Sequence, residues 1–135
     1  MTAGYSGTPL SRKLGIKNGF KVLTAGAPGD LSDLLAPLPD GVRVSSRFRT
    51  ADVALLFART SNDIEGAIDR VIAALPVEGA VWVCWPKKAS GITSELQSRD
   101  VLLPPLFAKG FVDVKIAAIS ETWSGLKFVL RKEHR

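Results

Sequence analysis

Residues 51–58, ADVALLFA, constrain the fold more than any other stretch of the chain, because seven of the eight side chains are apolar. A strand with one solvated face would alternate polar and apolar residues. A nearly continuous apolar run instead predicts a strand covered on both faces, in the centre of a sheet with helices on each side. Residues 80–85, AVWVCW, predict a second central strand.

The rest of the chain reads as helices and strands in alternation, divided by glycine- and proline-rich turns. The other predicted elements are, in chain order, a helix at 8–15, a strand at 20–25, a helix at 31–36 capped by Asp30, a strand at 42–48, a helix capped by Ser61 or Asn62, a helix within 94–109 broken or kinked at Pro104 and Pro105, and strands at 112–119 and 126–132.

This order predicts an α/β fold with three layers: a Rossmann-like mixed sheet of about six strands, helices on both faces, and a C-terminal antiparallel hairpin. Too few residues separate 42–48 from 51–58 for a crossover helix. These two strands are therefore either antiparallel or joined by an extended return along the sheet. At 135 residues the chain predicts one domain, with a helical arm over 1–19 and a core over 20–132.

A parallel sheet that ends in an antiparallel hairpin resembles the core of class I S-adenosylmethionine-dependent methyltransferases, shortened by at least one strand–helix unit and covering 20–132. More specifically, the stretches YSGTPLSRKLGIK, WPKKASG and ETWSGLKFV resemble a small bacterial family of domains without an established activity. The methyltransferase resemblance implies a cofactor held by an acid after the first strand, a glycine-rich turn and a carboxylate after the second strand. Residues 24–29 and 45–47 contain no acid, and Pro28 lacks an N–H. No cofactor is therefore predicted.

Composition excludes several classes of site. Cys84 and His134 are single residues of their kinds, which leaves no basis for a disulfide framework, a histidine-based catalytic site or a metal site. The absence of a long apolar run or secretory signal predicts a cytoplasmic protein without a membrane segment. The net charge is +5, but the basic residues are dispersed. This dispersion favours a solvated surface over nucleic-acid binding.

Ligands of open α/β sheets bind beyond the carboxyl ends of the strands, where loops converge. Four loops qualify: 26–30, 59–62, 85–91 and, if the hairpin turns at that edge, 121–125. Two adjacent lysines follow the second central strand, and Ser90 and Gly91 after them would let the loop approach a ligand closely. The predicted ligand-binding residues are Gly26, Asp30, Arg59, Trp85, Lys87, Lys88, Ser90, Gly91 and Trp123.

The lysines at this rim, without catalytic companions, favour a noncatalytic binding module that recognises a small anionic ligand or an acidic partner surface through Lys87, Lys88 and Arg59. One alternative is a degenerate or divergent methyltransferase-like enzyme, with residues 26–30 still holding a nucleoside. A second alternative is nucleic-acid binding by the dispersed basic surface. Catalytic residues and oligomeric state remain open. Trp123 either packs over the sheet edge, which is favoured, or walls the same pocket as Trp85.

Overall fold

A computed structural model describes residues 8–96 and 99–134 of the chain and contains a six-stranded mixed sheet. The strands are β1 (Lys21–Ala25), β2 (Arg43–Ser45), β3 (Val53–Phe57), β4 (Ala80–Pro86), β5 (Phe111–Ala118) and β6 (Trp123–Leu130). The α-helices are α1 (Leu10–Lys13), α2 (Leu31–Leu35), α3 (Ser61–Ala74) and α4 (Arg99–Phe107), and single 3-10 turns span Lys88–Ser90 and Lys132–His134. Within the described ranges, no helix is both long and apolar enough to span a membrane.

The strands are arranged in the order β2-β1-β3-β4-β6-β5. Strands β1 to β4 are parallel to one another, whereas β6 is antiparallel to both β4 and β5. Every residue of β3 and β4 is buried, as expected for central strands. The predicted fold class, a mixed Rossmann-like sheet with a C-terminal antiparallel hairpin, is confirmed.

The connection between β2 and β3 is an extended return, the second of the two predicted alternatives. Both strands are parallel to β1, and residues 46–52 carry the chain back across it. Phe48 packs on the core, with the cations of Lys21 and Arg43 at 5.6 and 5.7 Å from its ring centre. The carboxylate of Asp52 accepts a 2.8 Å hydrogen bond from the Lys21 amide. These contacts hold the return in place. Strand β2 is shorter than the predicted strand at 42–48.

Helix α3 is capped by Thr60, so the predicted cap at Ser61 or Asn62 is wrong. The Thr60 hydroxyl accepts from the Asp63 amide at 3.1 Å, and the Asp63 carboxylate accepts from the Thr60 amide at 3.1 Å. This reciprocal capping box satisfies two backbone donors that the first helical turn leaves without partners. The predicted apolar stripe of this helix is buried, with Ile64 and Val71 at 0% exposure.

Helix α4 continues through Pro104 and Pro105, so of the expected break or kink the break does not occur. Each proline removes one helical hydrogen bond. However, Leu102 and Leu106 lie four residues apart and are both fully buried in the core. Side-chain packing therefore holds the helical path where the backbone alone would favour a break.

The hairpin turn comprises residues 119–122, so placing Trp123 and Gly125 in the turn was wrong. Gly125 lies within the ladder, opposite Cys84 on one side and Ala117 on the other. A side chain at this position would lie 2.9 Å from Ile119 and 3.3 Å from the Trp82 ring. The glycine thus permits close packing across the sheet rather than a turn.

The sheet buries two apolar clusters, one on each face. On the face that we call the α3 face, strand residues such as Leu56 and Phe128 pack with α3 and α4. On the other face, called the α2 face, residues such as Leu55 and Trp82 pack with Leu31 and other residues of the N-terminal segment. Helices on both faces agree with the predicted three layers.

Candidate functional site

The loops that follow β1, β3 and β4 converge at the carboxyl edge of the sheet, because these strands are parallel neighbours. The hairpin turn lies at the same edge. Trp123 is opposite Pro86 in the ladder, and the Lys87 amide donates a 2.7 Å hydrogen bond to the Thr122 carbonyl. All four predicted loops therefore meet at this edge.

At Gly26 the loop after β1 passes close to the end of β3. The Gly26 φ of +67° lies in the left-handed region that glycine adopts without strain. A Cβ at this position would lie 2.5 Å from the Phe57 carbonyl oxygen at the end of β3. Residue 26 must therefore be glycine for both conformational and steric reasons.

A cavity of about 300 Å³ lies beside this contact, between the ends of β1 and β3 and the first turns of α3. Its volume is at the lower end of the range for small-molecule sites. Of the predicted site residues, the structure brings Gly26, Arg59 and Trp123 to this cavity. The lining residues are Ala25, Gly26, Leu56, Phe57, Arg59, Asp63, Ala67, Arg70 and Trp123.

Trp123 packs against the sheet edge and also walls this cavity. Its ring meets the Phe57 ring edge to face at 5.1 Å between centres, and the residue is 9% exposed. Trp85 lies on the α3 face, whereas Trp123 belongs to the cluster on the α2 face. Trp85 is not among the lining residues of this cavity. The favoured packing of Trp123 is what the structure shows.

The polar groups at the start of α3 are largely satisfied within the chain. The Asp63 carboxylate accepts hydrogen bonds from the Arg59 amide at 2.8 Å and the Thr60 amide at 3.1 Å. The Arg59 amide bond is the main reason that the pKa of Asp63 lies below its ordinary value of 3.8. The Glu95 carboxylate accepts from the Ser61 amide at 3.1 Å. These amides are therefore already occupied, and an incoming anion would depend on side-chain donors.

Arg59 and Arg70 supply such donors at the cavity. The Nε of Arg59 donates to the Thr93 carbonyl at 3.1 Å, and a terminal nitrogen of Arg70 lies 3.4 Å from the Ser46 carbonyl. Each contact engages one nitrogen of its guanidinium. The remaining N–H groups of both side chains can bind a ligand.

The lysine loop after β4 is shaped by its own hydrogen bonds. The Ser90 hydroxyl donates to the Lys87 carbonyl at 2.7 Å and accepts from the Ile92 amide at 3.2 Å. Gly91 adopts a φ of +78°, which ends the single turn Lys88–Ser90. Lys87 is half-buried and Lys88 is exposed. A binding role for the two lysines stays a prediction.

The structure also shows the surroundings of Asp30 and Cys84. Asp30 occupies the position before α2 and is exposed. Its side chain makes no capping hydrogen bond, so the predicted capping role is wrong. Cys84 is fully buried, and burial raises the pKa of its thiol well above the ordinary value, so that it belongs to the core.

Sequence reasoning missed Phe57, Asp63, Arg70 and Glu95. The spacing of Thr60 and Asp63 is a capping-box signal that was available in the sequence. Phe57 ends an apolar run and gives no sign that it borders a cavity. Glu95 reaches the start of α3 from a distant part of the chain, and no local pattern predicts such a contact.

A larger cavity, of about 690 Å³, lies away from this edge. It runs beside α1 and residues 37–39, with Arg12 and Lys17 as its charged lining residues. Open α/β sheets place their ligands beyond the carboxyl ends of the strands. The smaller cavity at Gly26 is therefore the better candidate despite its volume.

Solved structures that are similar to the chain share its fold at low sequence identity. The DhpI complex with S-adenosylhomocysteine has a TM-score of 0.61 and 14% identity, and the match covers 92% of this chain and 83% of DhpI. A Sulfolobus solfataricus protein classed provisionally as a type 11 methyltransferase has a TM-score of 0.60 and 17% identity, with 91% and 90% of the two chains covered. The 1,6-didemethyltoxoflavin N1-methyltransferase of Burkholderia thailandensis, solved with S-adenosylhomocysteine, has a TM-score of 0.53 and 16% identity, with 88% and 73% covered.

No protein-family model and no curated protein matches the chain. The specific resemblance to a small bacterial family thus stays a prediction, while the methyltransferase-like Rossmann fold is shown. The comparisons overturn the expectation of a noncatalytic binding module, because the structures that share this fold include methyltransferases and complexes with the methyltransferase product. They favour the methyltransferase-like alternative.

Proposed function

We propose that the chain is a divergent methyltransferase-like protein whose cavity at Gly26 holds a nucleoside ligand of the S-adenosylmethionine type. The proposal is carried by the cavity of about 300 Å³ at the carboxyl edge. This cavity lies beside the point where residue 26 closely approaches the Phe57 carbonyl. Ligands of open α/β sheets bind at this edge.

The lining suits the nucleoside portion of such a ligand. Ala25, Leu56 and Phe57 provide apolar walls against which a flat base can pack. Gly26 allows the backbone to approach the ligand closely. These features support binding of a nucleoside without depending on an acidic residue after β1.

The charge of the lining differs from what a cationic cofactor needs. Among the described lining residues Asp63 is the single carboxylate, and it is engaged by two backbone amides. Arg59 and Arg70 add two positive charges. S-adenosylmethionine carries a sulfonium cation that its product S-adenosylhomocysteine lacks. We therefore expect the product to bind more tightly than the methyl donor.

Isothermal titration calorimetry with the two ligands tests the proposal. A matched pair of helix variants locates the site: Ala67→Leu fills the cavity from α3, whereas Ala73→Leu adds the same side chain to an exposed position on the last turn of that helix. Saturable binding of S-adenosylhomocysteine should weaken by about tenfold in the first variant and stay unchanged in the second.

The controls separate a lost site from a lost fold. Each variant is first checked for a cooperative thermal transition, and Gly26→Ala serves as a second cavity variant if Ala67→Leu does not fold. Absence of heat with either ligand at millimolar concentration would contradict the proposal. Equal binding by the Ala67 and Ala73 variants would place the ligand elsewhere.

A further inference from the structure

Lysine side chains cover part of the α2 face where a folded chain ordinarily places apolar groups. Lys115 and Lys127 are directly opposite each other on β5 and β6. The Lys115 ammonium lies 5.9 Å from the centre of the Trp82 ring, and Trp82 is itself fully buried. Long lysine stems can shield an aromatic ring in this way while their charges stay in solvent.

Lys17 brings a third ammonium group to the same place. It lines a cavity of about 370 Å³ together with Lys127, Leu14, Gly15 and Phe20. The pKa of Lys127 is lowered first by burial, then by the charge of Lys115, and then by that of Lys17. Like charges directly opposite on neighbouring strands destabilise a sheet. The cluster therefore carries a free-energy cost that a bound anion would relieve.

Two acids also line this cavity, Asp52 and Glu78. The Asp52 carboxylate accepts the Lys21 amide at 2.8 Å, and Glu78 is exposed. The ion pairs of Lys109 with Asp69 at 2.6 Å and of Arg131 with Glu133 at 3.9 Å do not involve the three lysines. Among the residues whose side chains the structure describes, neither Asp52 nor Glu78 forms an ion pair with Lys17, Lys115 or Lys127.

We propose that Lys17, Lys115 and Lys127 form a binding site for a phosphate or phosphoryl group on the α2 face, separate from the cavity at Gly26. Lysine binds phosphate as a mobile point charge, without the fixed geometry that arginine requires. Lys17 and Lys127 line the opening, and Lys115 is directly opposite Lys127 on β5. Together, the three ammonium groups can balance the two negative charges of a phosphate. The opening lies near the amino ends of the parallel strands, beside Phe20, Val53 and Ala80. The site does not depend on the function proposed for the carboxyl edge.

Titration with inorganic phosphate and pyrophosphate at low ionic strength tests the proposal. NMR of the lysine side-chain 13Cε signals reports on each residue of the cluster. The signals of Lys17, Lys115 and Lys127 should move together and saturate, and the pKa of Lys127 should rise when pyrophosphate is bound because an anion favours the charged ammonium.

Three variants locate the effect. Lys127→Met and Lys115→Met should each weaken binding by about tenfold, while Lys127→Arg should retain it because the charge is kept. Lys109→Met, on the opposite side of the sheet beside α3, removes the same charge and should leave binding unchanged. Thermal unfolding checks that each variant is folded. If Lys127→Met does not fold, the binding result for Lys115→Met decides the test.

Two results would overturn the proposal. Absence of saturable binding by both anions would mean that the lysines are solvated charges whose stems shield Trp82. An equal loss of binding in Lys109→Met would mean that phosphate responds to net charge alone rather than to this cluster.

Discussion

The two faces of the sheet are closed by different means. On the α3 face, α3 and α4 lay fully buried side chains such as Ile64 and Leu102 on the strands. On the α2 face, α1 and α2 have four and five residues, and Lys115 lies over the ring of Trp82. Apolar side chains close the α3 face beneath its helices, and the charged side chains of Arg59 and Arg70 line the cavity beside them. The face closed partly by lysines keeps charges that a ligand can use.

The largest expected effect concerns Trp82, because its side chain is fully buried beneath Lys115 on the α2 face. Trp82→Ala should cost roughly 3–5 kcal/mol in the free energy of unfolding, as large truncations in cores do. Its Nε1–H also donates to the Leu14 carbonyl at 3.2 Å, which ties the sheet to the N-terminal segment.

Urea unfolding measures this cost, and Trp82→Phe is the matched control. The phenylalanine variant keeps most of the apolar bulk and loses the hydrogen bond, so it should cost less than the alanine variant. A loss below about 1 kcal/mol for Trp82→Ala would show that the lysine-covered face contributes little packing energy.

Gly26→Ala should have the next largest effect, at the carboxyl edge. The substitution places a Cβ against the Phe57 carbonyl and forces a left-handed conformation on alanine, at a cost of roughly 1–3 kcal/mol. Gly29→Ala is the control, because its Cβ would meet no atom within 4 Å. Differential scanning calorimetry should show a lower transition temperature for the first variant and little change for the second. Similar transitions would argue against the close approach of residue 26 to β3.

The smallest effect concerns the capping box of α3. Thr60→Ala should cost about 1 kcal/mol, whereas Asn62→Ala should be nearly neutral. The folded protein lowers the pKa of Asp63, so the stability from this carboxylate is fully present above its unfolded value of 3.8 and is lost as the pH falls through the folded value.

Urea unfolding between pH 2 and pH 6, which spans roughly two units on either side of an unperturbed aspartate, measures both changes. Asp63→Asn should remove the acid-side loss of stability that this residue contributes. If Asn62→Ala were less stable than Thr60→Ala, Asn62 would be the capping residue, as expected from sequence, and not Thr60.

The elements that sequence predicted best were those with a strong local pattern. The apolar runs of β3 and β4 indicate strands that are buried on both faces, and the apolar stripe of α3 indicates a helix that is buried on one face. Periodicity was therefore sufficient to predict these elements. The path of α4 through Pro104 and Pro105 was not predictable, because it depends on the tertiary burial of Leu102 and Leu106. The turn at 119–122 was missed because Gly125 suggested a turn but serves cross-strand packing.

The candidate site was predictable only in outline. The converging loops follow from strand order, which sequence could indicate. The cavity itself depends on how Phe57, Arg70 and Trp123 meet across three elements, and such contacts leave no local pattern. The lysine cluster was missed for the same reason, since Lys17 lies far in sequence from the strands that carry Lys115 and Lys127.

The most direct test of the central claim is a 1H–15N NMR titration of the full chain with S-adenosylhomocysteine. The account predicts saturating shifts at the amides of Gly26, Phe57 and Arg59, with little change at Lys115 and Lys127 on the α2 face. If millimolar S-adenosylhomocysteine left the carboxyl-edge amide signals unshifted, or shifted the signals of the α2 face instead, the proposed site would be contradicted.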